Sequence, residues 1–301
     1  MKLNILGCYS ATPRTFTNPT AQVLEIKNHI FLIDCGEGTQ VQLRKHKIKF
    51  NRIKHIFISH LHGDHFFGLV GLISTFRLLT READLHIYGP KGIKEVITLQ
   101  MKLSKSWTNY KLIFHELTSL ESQVLFEDDK VQVSTIPLDH RVYTNGFLFK
   151  EKPGERKLDM NAVLNEDIEV AYYRKLKQGF NVENKKGDLV KNETVTFPPE
   201  KPKSYAFCSD TAYNEAIVPL IKNIDVIYHE STFLEQHAHL APKTKHSTAK
   251  EAAKIAQLAN AGKLILGHYS TRYDNLNMFK TEAKEYFDNV ELADDGKVFN
   301  L

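Results

Sequence analysis

The chain has 301 residues, enough to bury a large core in one domain or in two. Its 40 Lys and Arg residues stand against 36 Asp and Glu residues, which excludes a dedicated charged tail but permits a polyanionic partner. The three cysteines are scattered and form no C-x-x-C pair, which excludes a disulfide framework and favours reduced thiols in a cytoplasmic protein. No apolar run suits a signal peptide or a membrane span, so we expect no membrane attachment.

Short apolar runs rich in Ile, Val and Phe predict buried strands early in the chain. They cover residues 3–6, 23–26, 30–33 and 55–58. Apolar side chains that recur three and four residues apart predict helices over residues 38–46, 67–79 and 92–103.

The second half of the chain repeats this order of strands and helices. Strands are predicted over residues 205–208, 226–228 and 263–266, and helices over 214–221 and 248–258. Strands followed by helices in both halves predict a layered α/β fold.

One segment, residues 150–203, breaks this pattern. It is highly charged, has prolines near both ends and shows little apolar periodicity. A long stretch without core signal predicts a projecting or mobile insertion. A solvated tail between two domains is the alternative.

The turn after the strand at 55–58 concentrates four potential metal ligands in six residues: His60, His62, Asp64 and His65. Neutral imidazole is the commonest side-chain ligand for zinc. Burying these groups without a cation would carry a large desolvation cost, so packing alone explains the cluster poorly. The sequence therefore predicts a metal site here.

Four ligands in one turn cannot all reach a single tetrahedral ion. A second ion is present, or some of the four have other roles, and further ligands should close later strands. His140, Asp210 and His268 each follow an apolar run. An aspartate such as Asp210 can bridge two ions, although a histidine at a strand end is as often structural.

The H-x-H-x-D-H motif, with a later His, Asp and His, resembles the metallo-β-lactamase superfamily over residues 3–294. Within it the chain resembles the tRNase Z family of tRNA 3′-processing endoribonucleases. The matching strings are DCGEGTQ at 34–40, SHLHGDH at 59–65, PLDH at 137–140 with GF at 146–147, SDT at 209–211, HEST at 229–232, HST at 246–248, and GH at 267–268 with STRY at 270–273. Many hydrolases share the first motif, whereas DCGEGTQ, HEST and HST together are far more specific.

The resemblance implies a four-layer αββα metallo-β-lactamase sandwich that spans residues 1–301 as one domain. It also implies that residues 150–203 form an inserted, projecting arm, which in this family binds the body of the tRNA. The short length resembles the bacterial short form, which acts as a homodimer.

Two Zn²⁺ ions per chain follow from the resemblance. The first would be held by His60, His62 and His140, the second by Asp64, His65 and His268, with Asp210 as the bridge. Such ligands also accept Mn²⁺. Asp34 would orient ligands rather than bind a metal, or it would instead cap the following helix.

The implied reaction is hydrolysis of a phosphodiester that removes the 3′ trailer from pre-tRNA and leaves a 3′-hydroxyl. Asp64 would bind metal and accept a proton from the attacking water, and His246 would donate one to the leaving ribose oxygen. Glu230 would hold and polarise His246. Alternatively, His246 merely precedes a helix that Ser247 or Thr248 caps.

Contacts with RNA are predicted in two places. The stretch between residues 38 and 63 has basic but no acidic side chains, at Arg44, Lys45, Lys47, Lys49, Arg52 and Lys54. The inserted segment adds Tyr172, Tyr173, Arg174, Lys175 and Lys177. Solvated surface is the alternative for the first stretch. The helix over 66–79, with Phe66, Phe67 and Phe76, is a candidate dimer face, although the core is the alternative place for it.

Two segments differ from the family pattern. The arm has Val170 and Ala171 where a Gly-Pro pair is usual, and the loop at 12–19 keeps a Pro, an Arg and an Asn but no lysine. That loop is associated in the family with the acceptor end of tRNA.

Two alternative functions remain. The same metals would serve a phosphodiesterase or esterase that acts on small molecules, which has no need of a projecting arm. An RNA-binding protein with an inactive site is the other alternative, and the complete set of seven ligands argues against it.

Overall fold

A computed structural model describes residues 1–12 and 14–301, so Pro13 of the N-terminal loop lies outside the described residues. The described chain divides into two compact units. The first contains Met1–Glu127, Val131–Lys150 and Lys203–Leu301, and the second contains Asp128–Lys130 and Glu151–Pro202.

Eighteen strands and nine α-helices form the described structure. Strands β1 to β18 are Lys2–Gly7, Ala21–Ile26, His29–Ile33, Ile53–Phe57, Leu85–Pro90, Leu112–Leu117, Val124–Glu127, Val131–Leu138, Thr144–Glu151, Lys157–Leu158, Val182–Glu183, Leu189–Val190, Thr196–Phe197, Ser204–Cys208, Val226–Glu230, Lys263–Gly267, Val290–Leu292 and Val298–Asn300. Helices α1 to α9 are Thr39–Lys45, Gly63–Phe66, Leu69–Leu78, Ile93–Leu103, Met160–Asn165, Tyr173–Lys177, Ala241–Thr244, Ala249–Leu258 and Asn277–Lys284. None of these helices is long and apolar enough to cross a membrane.

Two seven-stranded mixed sheets build the first unit. The strand order is β18-β1-β2-β3-β4-β5-β6 in the first sheet and β17-β16-β15-β14-β9-β8-β7 in the second. Strands β3 to β6 run parallel, and so do strands β14 to β17. The carboxyl ends of each parallel set therefore meet at one edge of the sheet.

Burial on both faces explains the continuous apolar runs in the first sheet. Successive side chains of a strand point to opposite faces, so Phe31 enters the core between the sheets while Leu32 enters a second core under the helices. The Phe31 and Phe149 rings lie 5.5 Å apart and join the two sheets.

Helices cover the outer faces of both sheets. Leu43 of α1, Leu72 of α3 and Ile97 of α4 pack on the first sheet, and Ile255 of α8 and Phe279 of α9 pack with the second. The expected four-layer αββα sandwich is confirmed.

One predicted helix is wrong. Residues 214–221 form only a 3₁₀ turn at Glu215–Ile217, followed by irregular turns. Pro219 lacks the backbone N–H that an α-helix would direct to Glu215, and this stops the helix. The other four predicted helices are present, and Thr248 caps α8 as expected.

The second unit has its own small core, so the solvated-tail alternative is wrong. Two two-stranded sheets, β10-β13 and β11-β12, accompany helices α5 and α6. Six buried side chains form the core: Val163, Ile168, Leu176, Val182, Val190 and Val195.

Candidate active site

The candidate ligands follow strands of both sheets. His60 comes after β4 of the first sheet, whereas His140, Asp210 and His268 follow β8, β14 and β16 of the second. Ligands in α/β proteins commonly bind beyond the carboxyl ends of parallel strands. The tops of the two sheets thus contribute to one site.

Helix α2 supplies the remaining candidates from a single turn. His62 is its N-cap residue, and Asp64 and His65 lie within it. Gly63 lies between His62 and Asp64, and a Cβ added there would lie 2.4 Å from the exposed Phe67 ring, so a larger residue would require that ring to move. The tight turn therefore brings the four clustered ligands of the sequence motif to one place.

Two groups of donor atoms share Asp210. On one side His60 Nε2 lies 2.9 Å from His62 Nδ1 and 3.5 Å from Asp210 Oδ2, and His140 Nε2 lies 3.3 Å from His62 Nδ1. On the other side Asp210 Oδ1 lies 3.3 Å from His65 Nε2 and 3.1 Å from His268 Nε2.

Asp64 completes the second group. Its Oδ2 lies 3.4 Å from His65 Nε2 and 3.7 Å from His268 Nε2. Each Asp210 oxygen thus faces a different group, which is the geometry of a bridging carboxylate.

The donor atoms fit divalent ions. Two ligands of one tetrahedral ion at about 2 Å lie about 3.3 Å apart, and the separations above scatter around that value. Nε2 of His65 and of His268 is buried and makes no hydrogen bond with a described residue. Buried imidazole nitrogens without a partner are costly unless a cation binds them. The chain therefore carries a site for divalent metal ions.

The electrostatics of the site also favour a cation. Burial lowers the pKa of His60 and of His140, so both are held in the neutral form that binds a metal. Burial opposes charge on His65 too, but Asp210, Asp64 and Asp34 raise its pKa well above the ordinary value. The field at His65 thus attracts positive charge.

Asp34 orients the site rather than a helix. Its carboxylate accepts hydrogen bonds from Ser59 N at 2.7 Å, Ser59 Oγ at 2.9 Å and His65 Nδ1 at 2.7 Å. The N-cap residue of α1 is Gly38, with no side-chain cap. The capping alternative for Asp34 is wrong, and its contact with Nδ1 leaves Nε2 of His65 facing Asp210.

Glu230 holds His246 beside the ligand groups. The completely buried Glu230 carboxylate accepts from His246 Nδ1 at 2.7 Å, Thr211 N at 3.0 Å and Thr232 N at 2.9 Å. Burial disfavours a charged His246, but Glu230 overcomes this and raises the His246 pKa to about 9. Capping of α8 belongs to Thr248, so His246 is free to act in the site.

Two residues of this network were missed by the sequence reasoning. Thr232 Oγ1 donates to Glu230 Oε2 at 2.7 Å and accepts from His268 Nδ1 at 2.9 Å, which links the carboxylate that holds the candidate acid to a candidate ligand. The carbonyl of Lys245 accepts from His140 Nδ1 at 2.8 Å. Thr232 lies in the HEST string and could have been found there, whereas a backbone carbonyl leaves no signal in a sequence.

Three residues of the site have a left-handed backbone. Asp34, Asp210 and His268 have φ angles of 57°, 52° and 59°, each directly or almost directly after a strand. Side chains other than glycine rarely adopt this region, and where they do the strain often serves a functional site.

A cavity of about 510 Å³ opens onto the site. Its wall includes Asp64, Asp210, His246 and His268 together with two arginines, Arg141 and Arg272. It has room for part of a nucleotide chain next to the ligand groups.

Other predicted residues lie outside this cluster. All six basic side chains between residues 38 and 63 are exposed. Phe66 and Phe76 are buried in the core, and only Phe67 of the three phenylalanines is exposed, at 56%. Most of the proposed dimer face is therefore core.

Comparisons with known proteins agree with this geometry. Residues 1–154 match the family described as "Anti-Pycsar protein Apyc1", a match that ends before Asp210 and His268. A protein named Ribonuclease Z from Bacteroides fragilis is 42% identical over 300 residues, covering 100% of this chain and 99% of the relative.

Solved structures give the same fold. Human tRNase Z, short form, is 29% identical with a TM-score of 0.73, covering 100% of this chain and 99% of that one. The metallo-β-lactamase fold protein YhfI from Bacillus subtilis, at 18% identity and a TM-score of 0.69, covers 99% and 98% and matches in fold. With a full-length relative at 42% identity and the tRNase Z architecture, the chain belongs to the ribonuclease Z family of the metallo-β-lactamase superfamily.

Proposed function

We propose that the chain is a metal-dependent endoribonuclease that removes the 3′ trailer from pre-tRNA and leaves a 3′-hydroxyl. The observation that carries the proposal is the pair of ligand groups on either side of Asp210, with the Glu230–His246 pair beside them. Kinship with proteins named Ribonuclease Z supports RNA as the substrate.

The first ion would be held by His60, His62 and His140, and the second by Asp64, His65 and His268, with Asp210 shared. We propose zinc, two ions per chain, because histidine nitrogens dominate the donor set, and manganese as the substitute. When bound, two such ions would supply a water molecule of lowered pKa and would stabilise negative charge at phosphorus.

The side chains supply the proton transfers. Asp64 lies at the cavity wall and accepts the proton of the attacking water. His246, protonated through its contact with Glu230, donates a proton to the ribose oxygen that leaves. Leaving-group protonation is needed because a ribose alkoxide is a poor leaving group.

The second unit would bind the body of the tRNA, as the inserted arm of one metallo-β-lactamase domain. Arg174, Lys175 and Lys177 are exposed on it, and Lys175 lies 5.5 Å from the centre of the Tyr172 ring. Exposed cations beside aromatic rings suit phosphates and bases.

We further propose a homodimer that works in the cytoplasm, where tRNA precursors are made. The exposed Phe67 ring lies two residues beyond His65, so a partner subunit there would border the site. Sedimentation of the purified protein tests the assembly, and a monomer at micromolar concentration would contradict it.

Cleavage of a labelled pre-tRNA that carries a 3′ trailer tests the function. We expect one cut beside the discriminator nucleotide, and a loss of about a hundredfold or more in kcat for His246→Ala. Bis(p-nitrophenyl) phosphate serves as a parallel substrate. Hydrolysis of this ester without any cleavage of the trailer would contradict the proposal and favour a small-molecule phosphodiesterase.

A further inference from the structure

Two guanidinium groups stand in the wall of the active-site cavity without an assigned role. Arg141 directly follows the candidate ligand His140, and Arg272 lies in the loop after β16. Both side chains are exposed, and neither forms an ion pair with a described residue. Two other arginines are engaged: Arg14 lies 3.3 Å from Asp274, and Arg81 donates to the carbonyl of Ala83 at 2.7 Å.

Arg141 shares a cavity wall with the candidate acid. The wall contains both Arg141 and His246. Arg141 directly follows His140, whose ring centre lies 5.1 Å from the ring centre of His246. The backbone that carries the guanidinium is thus anchored beside the His246 side of the cavity.

The proposed chemistry defines what occupies that side. The ribose oxygen that His246 protonates belongs to the nucleotide that keeps the 3′-hydroxyl. The next anionic group beyond that ribose is its 5′ phosphate. A guanidinium that shares the cavity wall with the acid, and that forms no ion pair with a described residue, would be available to this phosphate as the RNA backbone leaves the ligand groups.

We propose that Arg141 binds the backbone phosphate on the 5′ side of the nucleotide that receives the 3′-hydroxyl. This inference rests on the proposed function. The planar guanidinium can donate two parallel hydrogen bonds to one phosphate, which a lysine ammonium cannot do. Arg141 would thus fix the position of the ribose whose oxygen His246 protonates.

A cycle of two changes locates the contact. Wild-type protein and Arg141→Gln are compared on a pre-tRNA with its natural backbone and on one with a neutral methylphosphonate at that single position. We expect each change alone to lower kcat/KM by roughly tenfold to a hundredfold. The two together should cost little more than one, because both remove the same contact.

Two further variants separate this contact from general charge. Arg77→Gln removes a guanidinium from the exposed last turn of α3, outside the cavity, and should change kcat/KM by less than threefold. Arg141→Lys should recover only part of the loss. Loss of one phosphate contact should also reduce the slope of log kcat/KM against log salt concentration by about 0.7 to 0.9.

The outcomes are distinguishable. If the losses in kcat/KM from the protein change and from the RNA change multiply when the two are combined, the inference is overturned. Cleavage of the trailer by the wild type would still support the proposed function in that case. Equal losses in Arg77→Gln and Arg141→Gln would also overturn it. A wild-type protein that does not cut the trailer would refute the proposed function, and the inference with it.

Discussion

At the residue scale, Glu230 joins the candidate acid to the ligand groups. Glu230 accepts hydrogen bonds from His246 and from the backbone N–H of Thr211, the residue after Asp210. It is also linked to His268 through Thr232. Its four hydrogen bonds are made by a carboxylate that is completely buried. Such a group needs every donor, because a buried charge with missing partners is costly.

Glu230→Gln is therefore expected to reduce kcat for trailer cleavage roughly a hundredfold or more. The amide would present N–H groups to donors and would no longer hold His246 protonated. The double variant with His246→Ala should be no slower than the slower single variant, because both act through one proton.

Glu235→Gln is the matched control, since Glu235 pairs with Lys250 at the surface at 2.8 Å and does not line the active-site cavity. Its rate should stay within about twofold. Wild-type kcat in Glu230→Gln, measured in single-turnover cleavage, would remove Glu230 from the mechanism.

At the element scale, two residues at the start of α8 have different roles: Thr248 has a structural one and His246 a chemical one. Thr248 Oγ1 accepts from Glu251 N at 3.1 Å, and Thr248 N donates to Glu251 at 2.8 Å, a capping box. His246 stands two residues earlier, with its side chain on Glu230 instead.

Thr248→Ala should lower the free energy of unfolding by about 1 kcal/mol, because it removes the cap of α8. Thr248→Ser keeps the oxygen and should recover most of this stability. Urea unfolding measures both. A loss below about 0.3 kcal/mol in the alanine variant would show that the cap contributes little.

A second element-scale feature is a row of histidines on neighbouring parallel strands. His55 of β4, His86 of β5 and His115 of β6 stack at 5.0 Å and 5.3 Å between ring centres. Burial, His86, His29, His115 and Lys54 lower the pKa of His55 to about 3. The folded protein therefore holds His55 neutral.

Acid should weaken the fold through His55. An unfolded histidine titrates near 6.5, so the stability contribution of neutral His55 is complete above about pH 6.5 and is lost as pH falls toward 3. Between pH 7.5 and 5, protonation linked to His55 should lower the free energy of unfolding of the wild type by about 2 kcal/mol. The free energy of unfolding of His55→Phe should therefore fall by about 2 kcal/mol less than that of the wild type over the same pH range.

Urea unfolding in the presence of a chelator at both pH values checks this prediction. The chelator removes metal binding from the comparison, and protonation of the metal ligands cancels because wild type and His55→Phe share it. Tyr88→Phe removes the hydroxyl that lies 3.4 Å from His55 Nδ1 and should leave the pH dependence unchanged. Equal losses in wild type and His55→Phe would contradict the assignment to His55.

The sequence predicted the central strands and most helices, but not the structure of residues 214–221 or the core of residues 151–202. Apolar runs placed the central strands because both of their faces are buried, and four of five helices followed from their periodicity. The helix predicted over residues 214–221 is wrong because Pro219 lacks the backbone N–H that would continue it, although the apolar periodicity is present. The core of residues 151–202 was missed because its buried valines are spread over short elements.

The part of the site that consists of metal-binding side chains was predictable from the sequence. The seven predicted metal ligands fall into two groups whose donor atoms lie within 4.8 Å of one another, and a third such group joins Asp210 and His268 to His246. The orienting role of Asp34 was predicted, but its backbone partner Ser59 N was not, and neither was the contact of the Lys245 carbonyl with the His140 side chain. Each contact joins a backbone group to a side chain far away in the sequence. Nothing local in the sequence encodes such contacts.

At the scale of the whole molecule, the second unit can be tested separately. Lys150 pairs with Ser204 across strands β9 and β14, so the chain leaves and re-enters the second sheet at one place. A short Gly-Ser turn could replace residues 151–202 without moving either strand.

This deletion should abolish cleavage of pre-tRNA, with a loss of about a hundredfold or more, because the exposed cations that bind phosphates are gone. Hydrolysis of bis(p-nitrophenyl) phosphate should stay within a few-fold of wild type. The triple variant Arg174→Gln, Lys175→Gln and Lys177→Gln keeps the unit and should weaken RNA cleavage alone. Undiminished trailer cleavage by the deletion variant would refute a role of this unit in RNA binding.

The left-handed backbone at Asp34, Asp210 and His268 limits how this protein can evolve toward higher stability. Glycine would relieve the strain at each position, by about 1 kcal/mol, yet at 210 and 268 it would delete a candidate ligand. The easiest stabilising substitutions here are thus the ones that disable the enzyme. A heat-resistant relative with an intact site must gain its stability in caps, loops and cores instead.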